Sequence, residues 1–280
     1  MKLVRYIKYG NKHIGILEGD KVYEVIPYGF TNMVSLIQNF KYINMDERIN
    51  RDNPYNLDEI QLVSPITKPI HDIICVGRNY PDYVEEFGDD SDAFNANYFG
   101  KRAVKILGTN EDVVCDFSLD EIIDYEVELA VIIGSEIYKP KNKEEALEAI
   151  FGYSIFNDMS ARKLQMDHKQ WYRGKSLDNF AIMGPYIVTK DEIEYPLNLD
   201  IKSYVNGELR QNSNTKNMIH SVADIVFELS SSMTLEPGDI IATGTPSGVG
   251  IAFNPPKTLK KGDIVKCSIE KLGHIENKII

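Results

Sequence analysis

Two acids stand two residues apart in Asp124-Tyr125-Glu126-Val127-Glu128-Leu129, directly ahead of the β-branched apolar run Ala130-Val131-Ile132-Ile133-Gly134. That run predicts a strand. On a strand, residues two apart point to one face, so Glu126 and Glu128 project side by side. Parallel carboxylates beside buried apolar chain repel each other unless a positive charge sits between them. A divalent cation is the simplest such partner. A third acid, Asp158, ends another apolar segment, Tyr153-Ser154-Ile155-Phe156-Asn157-Asp158. Three hard oxygen donors, with no His or Cys cluster nearby, suit Mg²⁺ or Mn²⁺ rather than zinc. A Glu-x-Glu pair by itself is usually a solvated strand face, so the flanking sequence has to decide.

The elements that would position these acids are mostly strands. Leu3–Tyr9, His13–Leu17 and Val22–Ile26 carry β-type residues, with Gly10-Asn11 and Gly19-Asp20 as turns. Thr31 caps a short helix running to Phe40. The proline-bounded stretch Leu62-Val63-Ser64-Pro65-Ile66-Thr67-Lys68-Pro69 reads as a linker. It separates a small β-rich domain, 1–66, from a main domain, 67–280. Past it, Ile73–Gly77 is a strand that opens into an irregular acidic stretch, Asn79 to Asn97. Residues 113–134 read as strand material, Lys143–Ile150 as a helix, and Ile182–Val188 and Ile201–Val205 as strands. Asn206-Gly207 marks a hairpin. Ile219–Ser232 has helical spacing, and the strand Asp239–Ala242 feeds the Gly-rich loop Thr243–Gly250. Strands outnumber helices without strict alternation, which predicts an α+β, mostly β fold.

The whole chain sets further bounds. Its 280 residues suit one large domain, or a main domain plus a small one. The net charge of −11 argues against nucleic acid or an anionic membrane surface as a partner. An anionic substrate stays open, because a local cation inverts the field of a site. Three isolated cysteines, Cys75, Cys115 and Cys267, fit a reducing cytoplasm better than a disulfide framework. No signal peptide or membrane-spanning run is evident.

Five motifs appear in order: Gly77-Arg78-Asn79-Tyr80; Asp124-Tyr125-Glu126-Val127-Glu128; Asn157-Asp158-Met159-Ser160-Ala161-Arg162; Trp171 with Gly174-Lys175-Ser176-Leu177-Asp178; and Gly238-Asp239 through Thr243-Gly244-Thr245-Pro246-Ser247-Gly248-Val249-Gly250. Together they resemble the fumarylacetoacetate hydrolase family over roughly residues 70–280, and the first 65 residues look like the small N-terminal β domain of many members. The resemblance implies a mixed β-roll fold, a homodimer, and Mg²⁺ or Mn²⁺ on Glu126, Glu128 and Asp158. It also implies chemistry on small 2-oxo acids and dicarbonyls: C–C hydrolysis, decarboxylation such as that of oxaloacetate, or double-bond shifts. A 2-oxo carboxylate chelates a divalent cation, which then stabilises the enolate formed when a C–C or C–H bond breaks. Lys175 would hold substrate or the developing enolate. Gly244 and Thr245 would bind a substrate carboxylate, since the loop lacks the Lys-Ser/Thr ending of a phosphate loop. Arg162, four residues after Asp158, would orient or pair with that acid.

One position departs from the family pattern. Many members read Asn-Tyr-x-x-His-x-x-Glu after the first strand, with a His–Glu dyad on a lid that activates water. Here the stretch reads Asn79-Tyr80-Pro81-Asp82-Tyr83-Val84-Glu85-Glu86. Glu86 matches the Glu, and Tyr83 stands in the place of the His. An unperturbed phenol, with a pKa of about 10, is a poor base at neutral pH. Glu86 serves as base only if buried, and His168 is a candidate replacement imidazole set against the plainer reading of an ordinary surface histidine. The loss weakens hydrolysis, which needs activated water, more than decarboxylation or isomerisation. Glu85–Asp92 would form the lid. Two function classes follow: a metal-dependent enzyme of small 2-oxo acids, or a non-catalytic relative that binds a metabolite through the metal. A cation with a purely structural role is a third reading.

Overall fold

The computed structural model describes residues 1–27, 29–88 and 95–280. The chain opens as the expected meander of β1 (Lys2–Lys8), β2 (Asn11–Glu18) and β3 (Lys21–Glu24). Helix α1 (Met33–Asn39) follows. Its cap is Asn32 rather than Thr31: the Asn32 side chain accepts the Ser35 N–H, and the Ser35 hydroxyl accepts the Asn32 N–H. β4 (Tyr55–Asn56) returns to β3, and β5 (Gln61–Val63) to β1.

β6 (Ile73–Gly77) leads into α2 (Pro81–Phe87), where irregular chain was expected. Pro81 at the first helical position and Gly88 at φ 67° bracket this helix. Of the proposed lid, Asp89–Asp92 lie outside the described residues. β7 (Asn97–Lys101) comes next. The expected strand over 113–134 is also corrected, because only its second half forms one: β8 (Ile123–Asp124) and β9 (Val127–Ile133). Upstream, the Asp116 carboxylate takes the N–H and hydroxyl of Ser118 and turns the chain. The remaining elements are α3 (Lys143–Glu148), β10 (Ile150–Asp158), β11 (Ser160–Ala161), α4 (Arg162–Asp167), α5 (Tyr172–Lys175), β12 (Ala181–Thr189), β13 (Asp200–Val205), β14 (Glu208–Asn214), α6 (Val222–Ser232), β15 (Ile240–Ala242), β16 (Ile264–Ile269) and β17 (Gly273–Lys278). Asn206 and Gly207, both at positive φ, close the β13–β14 hairpin that their dipeptide announces.

The fold is α+β and mostly β. An 11-stranded sheet runs β4-β3-β2-β1-β12-β10-β9-β15-β6-β7, with β5 added on β1. The N-terminal meander joins this sheet through Leu3↔Ile187. A second sheet, β14-β13-β16-β17, packs over one face. Alternation along β9 sorts the core. Val127, Leu129, Val131 and Ile133 pack with Ile201, Val265 and Cys267 of the second sheet. Ala130 and Ile132 face the opposite way, toward Phe156, Met183 and α1. No described helix is long and apolar enough to cross a membrane.

Candidate active site

The even-numbered face of β9 carries the acids. Continuing the row of Ala130 and Ile132 toward the start of the strand places Glu128 and then Glu126 on the same side. β10 runs antiparallel beside it, with Phe156 opposite Glu128. The Asp158 N–H donates to the Glu126 carbonyl (2.9 Å), and the Glu126 N–H donates to Asn157 Oδ1 (3.1 Å). Glu126, Glu128 and Asp158 each offer a carboxylate oxygen within 4.8 Å of the other two. All three are buried.

Buried cations surround them unevenly. Lys175, at the end of α5, places Nζ 2.6 Å from both Glu126 Oε2 and Asp158 Oδ2. Lys101, at the end of β7 and 0% exposed, reaches Asp158 Oδ1 at 2.6 Å and donates to the Met159 carbonyl. Arg162, at the start of α4, lies 2.7 Å from Glu126 Oε1 and 3.1 Å from Asp124 Oδ2. Arg162 therefore pairs with Asp124 and Glu126, not with Asp158 as expected. Asp158 is already taken by the two lysines. Asp124 also accepts the N–H groups of Gly250 and Ile251, tying the Gly-rich loop to the acids.

Glu128 is the exception. Among the described residues it receives one hydrogen bond, from the Gly244 N–H at 2.8 Å, and forms no direct ion pair. Burial, reinforced by the charges of Asp158 and Glu126, pushes its pKa well above the ordinary carboxylate range, against the opposing pull of the nearby Lys175 ammonium and the Gly244 N–H. Asp158 shows the opposite balance: burial works to raise it, but Lys101 and Lys175 outweigh that and hold it low. A buried carboxylate with no direct ion pair, beside two others, is a donor set that a hard divalent cation fits.

A narrow cleft reaches Glu126 and Glu128 between Gly77, Arg78, Tyr83, Phe99, Trp171 and Thr245. It opens into a pocket of about 260 Å³ that shares Arg78, Tyr83 and Trp171 and adds the apolar Phe87, Met166 and Ile251. Trp171 packs edge-on against Phe99, with ring centroids 5.1 Å apart. It passes so close to Gly77 that a Cβ there would lie 2.4 Å from the indole. Tyr83 is buried, and burial with the nearby Glu126 charge pushes its phenol up to about 12. Glu86 is exposed. Its carboxylate accepts the Gly248 N–H (3.1 Å), and partial desolvation there raises its pKa despite that bond.

The other residues singled out from the sequence fall as follows. Gly244, at φ 98°, presents its N–H to Glu128. A Cβ there would meet Asn79 Cβ and the Val76 carbonyl at 2.8 Å. The Thr245 hydroxyl donates to the Val127 carbonyl and accepts from Gln211, so its proton is spent inside the protein. His168 is exposed and meets Arg173, and no histidine lines the cleft or its pocket. Lys101 and Asp124 escaped the sequence reading. Asp124 stood inside a quoted motif without a role, and nothing local distinguishes Lys101 from a surface lysine.

Comparison with known proteins agrees with this geometry. The sequence model for the fumarylacetoacetate (FAA) hydrolase C-terminal region matches residues 72–280. The chain belongs to the fumarylacetoacetate hydrolase family. Oxaloacetate tautomerase YisK of Bacillus subtilis strain 168 is 45% identical over 226 residues, which is 80% of this chain and 75% of that protein. Among solved structures, a fumarylacetoacetate hydrolase from the psychrophile Exiguobacterium antarcticum superposes with a TM-score of 0.88 at 40% identity, covering 100% of this chain and 99% of that one. Maleylpyruvate hydrolase from Sphingobium sp. SYK-6, solved with manganese(II) and pyruvate, gives 0.80 at 26% identity, covering 100% and 99%. This chain is an enzyme of the fumarylacetoacetate hydrolase family, and its mostly β fold is the family's.

Proposed function

We propose that the enzyme binds a small 2-oxo acid at a divalent cation held by Glu126, Glu128 and Asp158, and moves a proton between its keto and enol forms, with oxaloacetate as the first candidate. The observation that carries this is Glu128, a buried acid that makes no direct ion pair among the described residues, beside two acids that do. Bound there, Mg²⁺ or Mn²⁺ supplies a Lewis acid that stabilises the enolate charge.

The chain's own groups do the rest. Lys101, Lys175 and Arg162 hold two of the three acids in place. Phe99 and Trp171 wall the cleft and limit water, which favours proton shuttling over hydrolysis. Tyr83, protonated across the physiological range, acts as a donor rather than a base. Glu86, held at Gly248 on the outer side, has the raised pKa of a proton acceptor but is exposed, and no imidazole stands by to activate water. The tautomerase name of the Bacillus relative and the pyruvate-bound maleylpyruvate hydrolase support this substrate class. We place the enzyme in the cytoplasm as a homodimer, on its three unpaired cysteines and its family.

The test is spectrophotometric decay of enol-oxaloacetate with Mn²⁺ or Mg²⁺, before and after stripping the metal on a chelating resin. Acceleration that disappears on stripping and returns with metal is the expected result. Metal binding without turnover of oxaloacetate, acylpyruvates or other 2-oxo acids would overturn the proposal in favour of a metabolite-binding role. Fast acylpyruvate cleavage without enol decay would instead favour hydrolysis.

A further inference from the structure

A second cleft, of about 440 Å³, lies between α1, β1 and the Pro65–Ile70 segment and shares no lining residue with the acid site. Two of its lining side chains, Arg5 and Lys68, are cationic and none is acidic, in a chain of net charge −11. Arg5 is half-buried. Its guanidinium has five N–H groups, yet among the described residues it makes one hydrogen bond, to Thr67 Oγ1 at 2.6 Å, and no ion pair. Burial lowers its pKa from the ordinary arginine value, and no neighbouring carboxylate opposes that. A guanidinium partly withdrawn from water without an anion leaves part of its desolvation cost uncompensated. Lys68 is exposed at the rim and has no hydrogen-bond or ion-pair partner among the described residues. The Gln38 amide adds a further donor, and Met33, Ile66 and Pro69 supply apolar wall.

We propose that this cleft is a second ligand site, taking a small carboxylate- or phosphate-bearing metabolite whose anion rests on Arg5 and whose carbon skeleton lies along Met33, Ile66 and Pro69. Arginine's planar fork matches both anions through paired charge-assisted hydrogen bonds. The volume falls within the range of roughly 300–1,000 Å³ typical of small-molecule pockets. The site is independent of the metal chemistry proposed above.

The test is isothermal titration calorimetry on the full chain, stripped of metal on a chelating resin, with succinate and with inorganic phosphate at constant ionic strength. Saturable binding of at least one anion is expected, weakened at least tenfold in Arg5→Gln and several-fold in Lys68→Gln. The exposed Lys68 keeps the test decisive should Arg5→Gln fold poorly. Stronger binding of succinate assigns a carboxylate, and stronger binding of phosphate assigns a phosphate. No saturable binding of either, binding that a folded Arg5→Gln leaves unchanged, or, where Arg5→Gln does not fold, binding that Lys68→Gln leaves unchanged, would overturn the proposal.

Discussion

Glu126 lies within 2.7 Å of Arg162 and 2.6 Å of Lys175, whereas Glu128, two residues on, receives among the described residues a single hydrogen bond, from the Gly244 N–H, and makes no direct ion pair. Neutralising each has opposite consequences for the metal-free chain. Glu126→Gln takes one of two carboxylates from each of the buried cations Lys175 and Arg162, which keep Asp158 and Asp124, and should destabilise by roughly 1–3 kcal/mol. Glu128→Gln removes a buried acid whose ionised form is disfavoured there, while its amide oxygen still accepts from Gly244, so denaturant unfolding should show equal or higher stability. Both should weaken Mn²⁺ binding at least tenfold by calorimetry. Equal destabilisation by the two changes would contradict this account. Tyr83 makes a separate prediction. Its phenol is pushed up to about 12, so it stays protonated well into alkaline buffer and contributes no basic limb near neutrality. Tyr83→Phe should lower kcat by about 10²-fold while Mn²⁺ affinity holds. A kcat that stays at the wild-type value would remove Tyr83 from proton transfer.

At the scale of elements, the site depends on how β6, β7 and α5 meet. Trp171 leads into α5, and its carbonyl accepts the N–H of Lys175 (3.0 Å), so the indole over the cleft and the ammonium between the acids move together. Gly77 at the end of β6 leaves the room that the indole takes. Gly77→Ala should displace Trp171 at a cost of about 1–3 kcal/mol. As the chain's single tryptophan, it reports the shift directly through fluorescence, and KM should rise. Unchanged emission and KM would show that the contact is not needed. Lys175 and Trp171 were visible in sequence as parts of one motif. Their seating against Phe99 of β7 was not, because it follows from a sheet edge remote in sequence.

Across the whole molecule, the parallel strands β6 and β15 are tied at their starts by His71, with Nδ1 2.7 Å from Asp239 Oδ1 and Nε2 3.3 Å from Glu236 Oε2. The Asp239 bond raises the His71 pKa, with burial pulling against it. A raised folded-state pKa means the stabilisation is fully present below the ordinary histidine value of about 6.5 and fades as pH rises through the folded value. His71→Gln should therefore lower Tm in mildly acidic buffer, and the gap from wild type should shrink above neutrality. A gap independent of pH would refute the linkage. The same long-range logic marks what sequence could reveal. Glu126, Glu128 and Asp158 were legible because strand alternation is local, and each acid sits on or beside an apolar run that must be buried. The short helix over Pro81–Phe87 was missed because the acidic composition around it outweighed the Pro81 signal. Lys101, Arg162 and Asp124 took their places only when β7, α4 and β8 came together around β9 and β10. The sequence by itself placed Glu126 and Glu128 on one strand face and, through its motifs, offered Asp158 as a third acid beside them. Tertiary structure alone decided which buried cations two of them pair with, and that Glu128 has no direct ion pair among the described residues, because such pairing is made between segments far apart along the chain.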